Sequence, residues 1–499
     1  MTDPILFWNS VAQECNRRDH TGVMTAHNQR GPTLSSRALA IVHIAMHDAY
    51  VLARAGASSP VVRNDPYLPM AQRPPYSHPG GGAPAEDIAA SAVGAAAAVA
   101  LLNLYPALAG HINTQFAVFS AQRAADHAAH RFGSAVGHNV LALRVNDGAQ
   151  PDPDDSIPDY ISSPAYGAHR ADPLDVGQGF LGVRHGFVRP FAVSSFHNLA
   201  KYPAFGSANY LKDHREVRLK GATASYPAST RTPLETVMGI FWAYDGVKDI
   251  GTPPRLYNQI LQVISTSKGL TPEQNARLFL LANIAMGDAG ILAWFYKYHF
   301  DLWRPIVGIR EFDTDMGPGA SAPGSTLSPD CDPFWRPLGA PKTNNRDERV
   351  RSFTPPFPAY PSGHATFGAA AFHAARLYLA AIGKATIASN GTDDISFSFV
   401  SDELNGVSVD PDDTVRTRHL RSFTGLHEAI YENSISRIFL GVHWRFDGTS
   451  ANNAAAAVTA ADQIGGVPLG IAIAVDIAGA PNLRPTPDTI VPPAFDATP

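Results

Sequence analysis

The residues of this chain best suited to chemistry fall in three separated windows, each combining positive charge or imidazole with a break in a helix. The first is Lys297-Tyr-His-Phe-Asp-Leu-Trp-Arg304-Pro305. Pro305 disfavours helical dihedrals at Arg304, so the chain turns there and can bring Arg304 back toward the face carrying Lys297. Arg offers a planar donor fork and Lys a compact charge, two complementary ways of holding an anion. The second is Phe357-Pro-Ala-Tyr-Pro-Ser362-Gly363-His364, ahead of an alanine-rich helix. Ser362 stands where an N-cap hydroxyl belongs, Gly363 allows close backbone approach, and the free amides of the helix start favour an anion. His364 then lies at the edge of that anion, able to give or take a proton near neutral pH.

The third window is Ser436-Arg437-Ile-Phe-Leu-Gly441-Val-His443-Trp-Arg-Phe-Asp447. Arg437 and His443 would lie about 120° apart on a continuous helix. Gly441 is a natural break that lets them converge. Asp447, four residues beyond His443, can accept one ring N–H and leave the other nitrogen unprotonated toward an electrophile. Each window alone also fits a capped or solvated helix end. Together they describe one pocket for an oxyanion with several negative oxygens, which needs convergent donors and fixed charge.

The elements that must position these residues are helices. Apolar spacing predicts helices over 37–55, 87–105, 116–147, 234–244, 257–267, 272–299, 364–382, 425–440 and 449–464. One hairpin is expected, Ile395 to Val400 against Gly406 to Asp410, with Asn405-Gly406 near its turn. Long connections over 58–82, 147–203, 313–360 and 387–423 should cover or line the site. An internal echo, Ile44-Ala-Met-His-Asp-Ala-Tyr-Val-Leu-Ala53 against Ile284-Ala-Met-Gly-Asp-Ala-Gly-Ile-Leu-Ala293, points to two helical bundles of one plan. A fainter echo aligns Gly94-Ala-Ala-Ala97 with Gly368-Ala-Ala-Ala371 and puts Ala90 where His364 stands. The expected fold is therefore all-α: an N-terminal bundle without a site over residues 1–225, and a bundle carrying the oxyanion site over 226–499.

Composition excludes several classes. The net charge of -5 with 17% charged residues gives no global field to recruit nucleic acid or an anionic membrane. Two cysteines, Cys15 and Cys331, make no disulfide framework. The N-terminus lacks the basic start and apolar run of a secretory signal, and Ile88 to Leu102 reads as too short and too weakly apolar to span a bilayer. A cytoplasmic protein is expected, with export lacking a recognisable signal as the alternative; a homo-oligomer stays open. His43, His47 and Asp48 have metal-like helical spacing, but the echoed copy holds Asn283, Gly287 and Asp288, so a structural helix is expected there. Asp152-Pro-Asp-Asp155 reads as a solvated turn.

The three windows in order, K-x6-R-P, P-S-G-H and S-R-x5-H-x3-D, resemble the superfamily shared by vanadium-dependent haloperoxidases and type 2 phosphatidic-acid-phosphatase-like acid phosphatases. The resemblance implies that Lys297, Arg304, Ser362, Gly363 and Arg437 hold the equatorial oxygens of vanadate. It further implies that His443 bonds vanadium axially and that His364 hydrogen-bonds the apical oxygen, with Lys297, His364 and His443 catalytic. Such an enzyme oxidises chloride or bromide with hydrogen peroxide to hypohalous acid, using vanadate as Lewis acid. The acid-phosphatase alternative would use the same residues, with His443 attacking phosphorus and His364 protonating the leaving oxygen, and phosphate can occupy such a site. The long spacing between windows and the extra N-terminal bundle favour the haloperoxidase. The stretches Phe241-Trp-Ala-Tyr-Asp245-Gly and Gly251-Thr-Pro-Pro-Arg are similar to those of fungal vanadium chloroperoxidase. That similarity puts Trp294 and Phe357 in a halide pocket and leans toward chloride, since bromide-preferring relatives carry a histidine at the place of Phe357. Asp245 and Asp447 would support the arginines and His443 from behind. The implied partners are small molecules only: peroxide, halide and an organic acceptor.

Overall fold

A computed structural model describes residues 2–21, 27–54, 65–76, 85–123, 126–149, 160–320, 326–346, 352–459, 462–480 and 483–493. Among them are fifteen α-helices. In the first half lie α1 (Pro4–Asp19), α2 (Gly31–Ala53), α3 (Ala85–Leu104), α4 (Ala109–Ala121), α5 (His127–Leu143) and α6 (Ala208–Lys220). There follow α7 (Pro233–Phe241), α8 (Pro253–Ser267), α9 (Pro272–Phe300), α10 (Pro305–Arg310) and α11 (Gly363–Ala381). The chain closes with α12 (Leu426–Phe439), α13 (Arg445–Gly448), α14 (Ala454–Thr459) and α15 (Gly466–Gly479).

The all-α expectation holds, and four expected elements need correction. The stretch 116–147 is two helices, not one. Asp126 accepts from the amides of Ala128 and Ala129 and so starts α5 afresh. The helix expected over 449–464 is reduced to α14. Strand β1 (Phe397–Val400) pairs antiparallel not with 406–410 but with β2 (Leu420–Phe423), in the register Phe397 to Phe423. Asn405-Gly406 does turn, but as a local loop in which the Asn405 carbonyl side-chain oxygen accepts from Val407 and Ser408. Finally, α3 is a full 20 residues and apolar enough to cross a membrane by length and composition, as is α9. Both are core helices instead, with 72% and 100% of their apolar windows buried against protein. The turn at Asp152 to Asp155 lies outside the described residues.

One apolar core runs through both halves: Trp8 of α1, Ile41 and Ala45 of α2, Ile284 and Leu292 of α9, and Phe367 and Phe372 of α11 all belong to it. Helix α9 lies at its centre, against α2 on one side and α11 on the other. Small residues let the helices approach closely. A side chain at Gly470 of α15 would lie 2.4 Å from the Thr366 carbonyl of α11, so only glycine fits there. The echoed aspartates have matching jobs. Asp48 accepts from the amides of Tyr67 and Leu68, and Asp288 accepts from those of Phe191, Ala192 and Val193. Each fastens a long connection to its bundle. His43 and His47 are bound into this packing, near the Leu39 carbonyl and Asp48 respectively. Among the described residues no cluster of three or more His, Cys, Asp or Glu could hold a metal ion.

Candidate active site

The three windows meet. Helix α9 begins with a capping box between Thr271 and Gln274 and ends at Asp301 in the left-handed region, φ 50°. Lys297 sits in its last turn. The chain then runs extended through Arg304 (φ -74°, ψ 156°) into α10, which Pro305 opens. Ser362 caps α11, its hydroxyl accepting from the Ala365 amide, and its own amide donates to the Asp447 carbonyl at 2.7 Å. That bond ties the second window to the third. After α12, Gly441 turns at φ 72° with the Gly221 carbonyl so close that a side chain would lie 2.3 Å from it. Beyond it, the Val442 carbonyl accepts from Arg304 Nη1 at 2.7 Å, which ties the third window to the first.

Asp245, Trp294, Phe357, Gly363, His364, Arg437 and His443 line one cavity of about 450 Å³. Lys297, Arg304 and Ser362 are fully buried, and Arg304 contacts His443 of its lining. His443 Nδ1 donates to Asp447 at 2.8 Å, and its Nε2 faces Arg304 Nη1 at 3.0 Å. Since guanidinium can only donate, Nε2 carries the lone pair. Burial, reinforced by Arg304, Lys297 and Arg437, holds this imidazole well below the usual histidine range, so it stays neutral. His364 is neutral for the same reasons, burial first and Arg437 next. Its Nε2 donates to the Ala243 carbonyl at 2.6 Å, leaving Nδ1 as the ring nitrogen with the lone pair.

The cations are set differently. Lys297 Nζ donates to the carbonyls of Pro358, Ala359 and Pro361, so all three of its protons hold the turn before Ser362. Burial and the two arginines push its amine well below the usual lysine range. Arg304 uses Nε on the Phe357 carbonyl, and Arg437 uses Nη2 on Asp245 at 2.8 Å. What remains is the informative part. Arg304 Nη2 and Arg437 Nε and Nη1 are buried with no partner, as are Asp245 Oδ2 and Asp447 Oδ1. Burying a guanidinium N–H unpaired costs about 1–3 kcal/mol or more. Three such donors at one place define a cradle for a group with several acceptor oxygens. Burial raises both carboxyls that face these cations, Asp245 and, to about 8, Asp447, so the two arginines are the fixed charges there. The adjoining amides at the start of α11 have no intrahelical partner and add to them.

Two aromatic rings cover this charge. Trp294 and Phe357 pack with centroids 4.8 Å apart, and Lys297 and Arg304 lie 5.0 and 4.9 Å from the Phe357 ring. The cations are thus shielded from water on that side.

Comparison with known proteins agrees with this geometry. A profile of the vanadium chloroperoxidase N-terminal domain matches residues 1–152, and one of the second helical-bundle domain matches residues 277–464. Vanadium chloroperoxidase of Curvularia inaequalis is 34% identical, over 98% of this chain and 92% of its own. The chain belongs to the vanadium chloroperoxidase family. Solved structures share the fold. A bacterial vanadium-dependent iodoperoxidase superposes with TM-score 0.59 at 18% identity, covering 96% of this chain and 97% of its own. A bacterial vanadium-dependent chloroperoxidase in its holo form superposes with 0.56 at 14%, covering 90% and 92%.

Around the candidate site of this vanadium chloroperoxidase relative lie further residues that sequence reasoning missed. The Leu181 carbonyl accepts from Trp294 Nε1 at 3.1 Å and from Tyr298 Oη at 2.8 Å, fixing the indole. Asn433 and Tyr257 donate to the His364 carbonyl and anchor the start of α11. His20, His27 and Arg30, from the first half, form part of the cavity wall. None of these carries a local signal, since each acts across long sequence separation. The first half therefore supplies wall to the same cavity.

Proposed function

We propose that this chain is a vanadate-dependent haloperoxidase that oxidises chloride or bromide with hydrogen peroxide to hypohalous acid. One observation supports the reading: the two buried arginines that contact His443 Nε2 and Asp245 keep three guanidinium nitrogens without a partner. The donor set fits vanadate, with many N–H groups for its oxygens and one neutral nitrogen for the metal. When bound, vanadate supplies a Lewis acid that activates peroxide toward halide.

The residues would divide the work as follows. Arg304, Arg437, Ser362 and the backbone at Gly363 hold oxygens. Lys297 contributes its field and holds the Pro358–Pro361 turn, with an oxygen contact open to it by exchange of one carbonyl. His443 presents Nε2 to the metal, oriented by Asp447. His364 Nδ1, left with its lone pair, would hold or move a proton at the bound group. Asp245 keeps Arg437 aimed inward. Trp294 and Phe357 give a weakly hydrated halide an apolar wall beside the cations. In this reading residues 226–499 carry the oxyanion site, and residues 1–225 form a bundle without one.

The test is to incubate the purified protein with orthovanadate, peroxide and chloride or bromide, alongside phosphate-ester hydrolysis. Halide oxidation that requires vanadate and is blocked by phosphate is the expected result. Ester hydrolysis inhibited by vanadate, without halide oxidation, would overturn the reading in favour of an acid phosphatase.

A further inference from the structure

We propose that the outer half of the cavity binds a small organic anion, a hydroxyaryl carboxylate, and that this is the acceptor halogenated by the enzyme. The inference rests on the haloperoxidase reading for its chemistry but on separate residues for its site. The cavity, about 450 Å³, far exceeds what peroxide and halide need, at roughly 30 Å³ for a solute the size of water. It falls in the range of pockets that hold organic ligands.

Its outer wall is electropositive. Lys248 lines it with His20, His27 and Asp175, and Arg30 and Lys342 also line it, each engaged with a neighbour. Two helices also begin there: Gly31 and Pro32 open α2, Pro253 opens α8, and neither has a side-chain cap bond. Their positive ends add to the field of the side chains. Phe353, Pro355 and Pro356 line the same cavity and offer apolar surface suited to a flat ring.

A second, independent feature points to a ligand with a hydroxyl. His20 is 7% exposed, and its Nδ1 lies 3.0 Å from the Asn16 carbonyl, so Nδ1 carries the proton. Nε2 is then an acceptor, and it is buried without a partner beside Gly246, another wall residue. The His27 ring stacks on the His20 ring at 5.8 Å. A carboxylate would meet Lys248 and the open helix starts while a ring hydroxyl donated to His20 Nε2. Such a ring is electron-rich. Its carbon attacks the halogen of hypohalous acid, the oxygen–halogen bond breaks, and the ring proton joins the departing hydroxide as water.

The experiment is calorimetric titration of 4-hydroxybenzoate into the protein without vanadate and into protein preloaded with orthovanadate, with phenol as the neutral control. Binding is expected in both states, with phenol at least about tenfold weaker. Lys248→Gln should weaken it about fivefold and Lys248→Arg should not. During turnover, the ratio of halogenated 4-hydroxybenzoate to halogenated phenol should exceed that given by reagent hypohalous acid. Displacement by orthovanadate, equal affinity for phenol, or a product ratio equal to the reagent's would overturn the proposal. Binding without halide oxidation would keep the anion site and overturn both the haloperoxidase reading and the acceptor role drawn from it.

Discussion

Helices α2 and α3 in the first half pack on each other as α9 and α11 do in the second, and the two pairs differ at their ends. Helix α2 stops at Ala53, where its echo of α9 stops; α9 continues from Ala293 to Phe300 and in those residues carries Trp294 and Lys297. Helix α3 begins at Ala85 and runs through Ile88 and Ala90, the positions aligned with Ser362 and His364. Helix α11 begins later, at Gly363, so the aligned residues become a cap and a first turn. The middle of each helix pair serves packing in both halves. Chemistry enters where one helix is prolonged and its partner is started late, because only ends expose unpaired amides and can turn side chains into a cavity.

The comparison can be broken first at the echoed aspartates. Asp288→Ala removes the acceptor of three amides, two of them buried, and Asp48→Ala that of two buried amides and the His47 ring, so each should cost about 2–5 kcal/mol. Urea denaturation of both variants checks this; a loss below about 1 kcal/mol in either would deny that aspartate its anchoring load. The second break is specific to the site. Asp447→Ala removes the acceptor of the His443 ring proton and should weaken vanadate binding about 100-fold, whereas Asp48→Ala should leave the affinity of the folded protein within about twofold.

The paired glycines sharpen the contrast further. A methyl at Gly94 would lie 2.6 Å from the Phe119 ring, and one at Gly368 would lie 2.3 Å from Asn433 Nδ2. Either Ala variant should lose about 1–3 kcal/mol by overpacking. Only Gly368→Ala should also lower kcat, because Asn433 holds the His364 carbonyl. Thermal melts with steady-state kinetics separate the two.

Acid gives the smallest effect and reaches both halves. Burial holds His43 of α2 down at about 4 and His373 of α11 at about 3, with His185 at about 3 and His214 at about 4. These folded values lie below the unfolded value of about 6.5. Their neutral forms are therefore favoured in the fold, and stability is full above about pH 6.5 and lost as pH falls toward 4 and 3. Asp213, Asp288 and Asp301, pushed up to about 6 by burial, act with the opposite sign and relieve part of the loss. The urea midpoint should be lower at pH 5 than at pH 7, the four histidines outweighing the three carboxyls.

The windows were readable in the sequence because caps, prolines and glycines act locally: Pro305 sets Arg304 extended, Ser362 caps α11, and Gly441 breaks α12. Elements shaped by long-range packing were not. Strand β2 was missed because register is chosen by partners rather than by the nearest turn signal. Helix α1 hides among polar residues, and α15 opens with Gly-Val-Pro-Leu-Gly, a poor helix start that its close fit to α11 overrides. The wall residues His20, Arg30 and Leu181 come from distant loops, and no spacing in the chain announces them.

Orthovanadate retention by wild-type protein and by His443→Ala, measured by equilibrium dialysis with metal analysis, tests the central claim. The account predicts near one vanadium per chain for the wild type and loss of at least about a hundredfold in affinity for the variant. Equal retention by the two would show that the oxyanion cradle is not built around that imidazole.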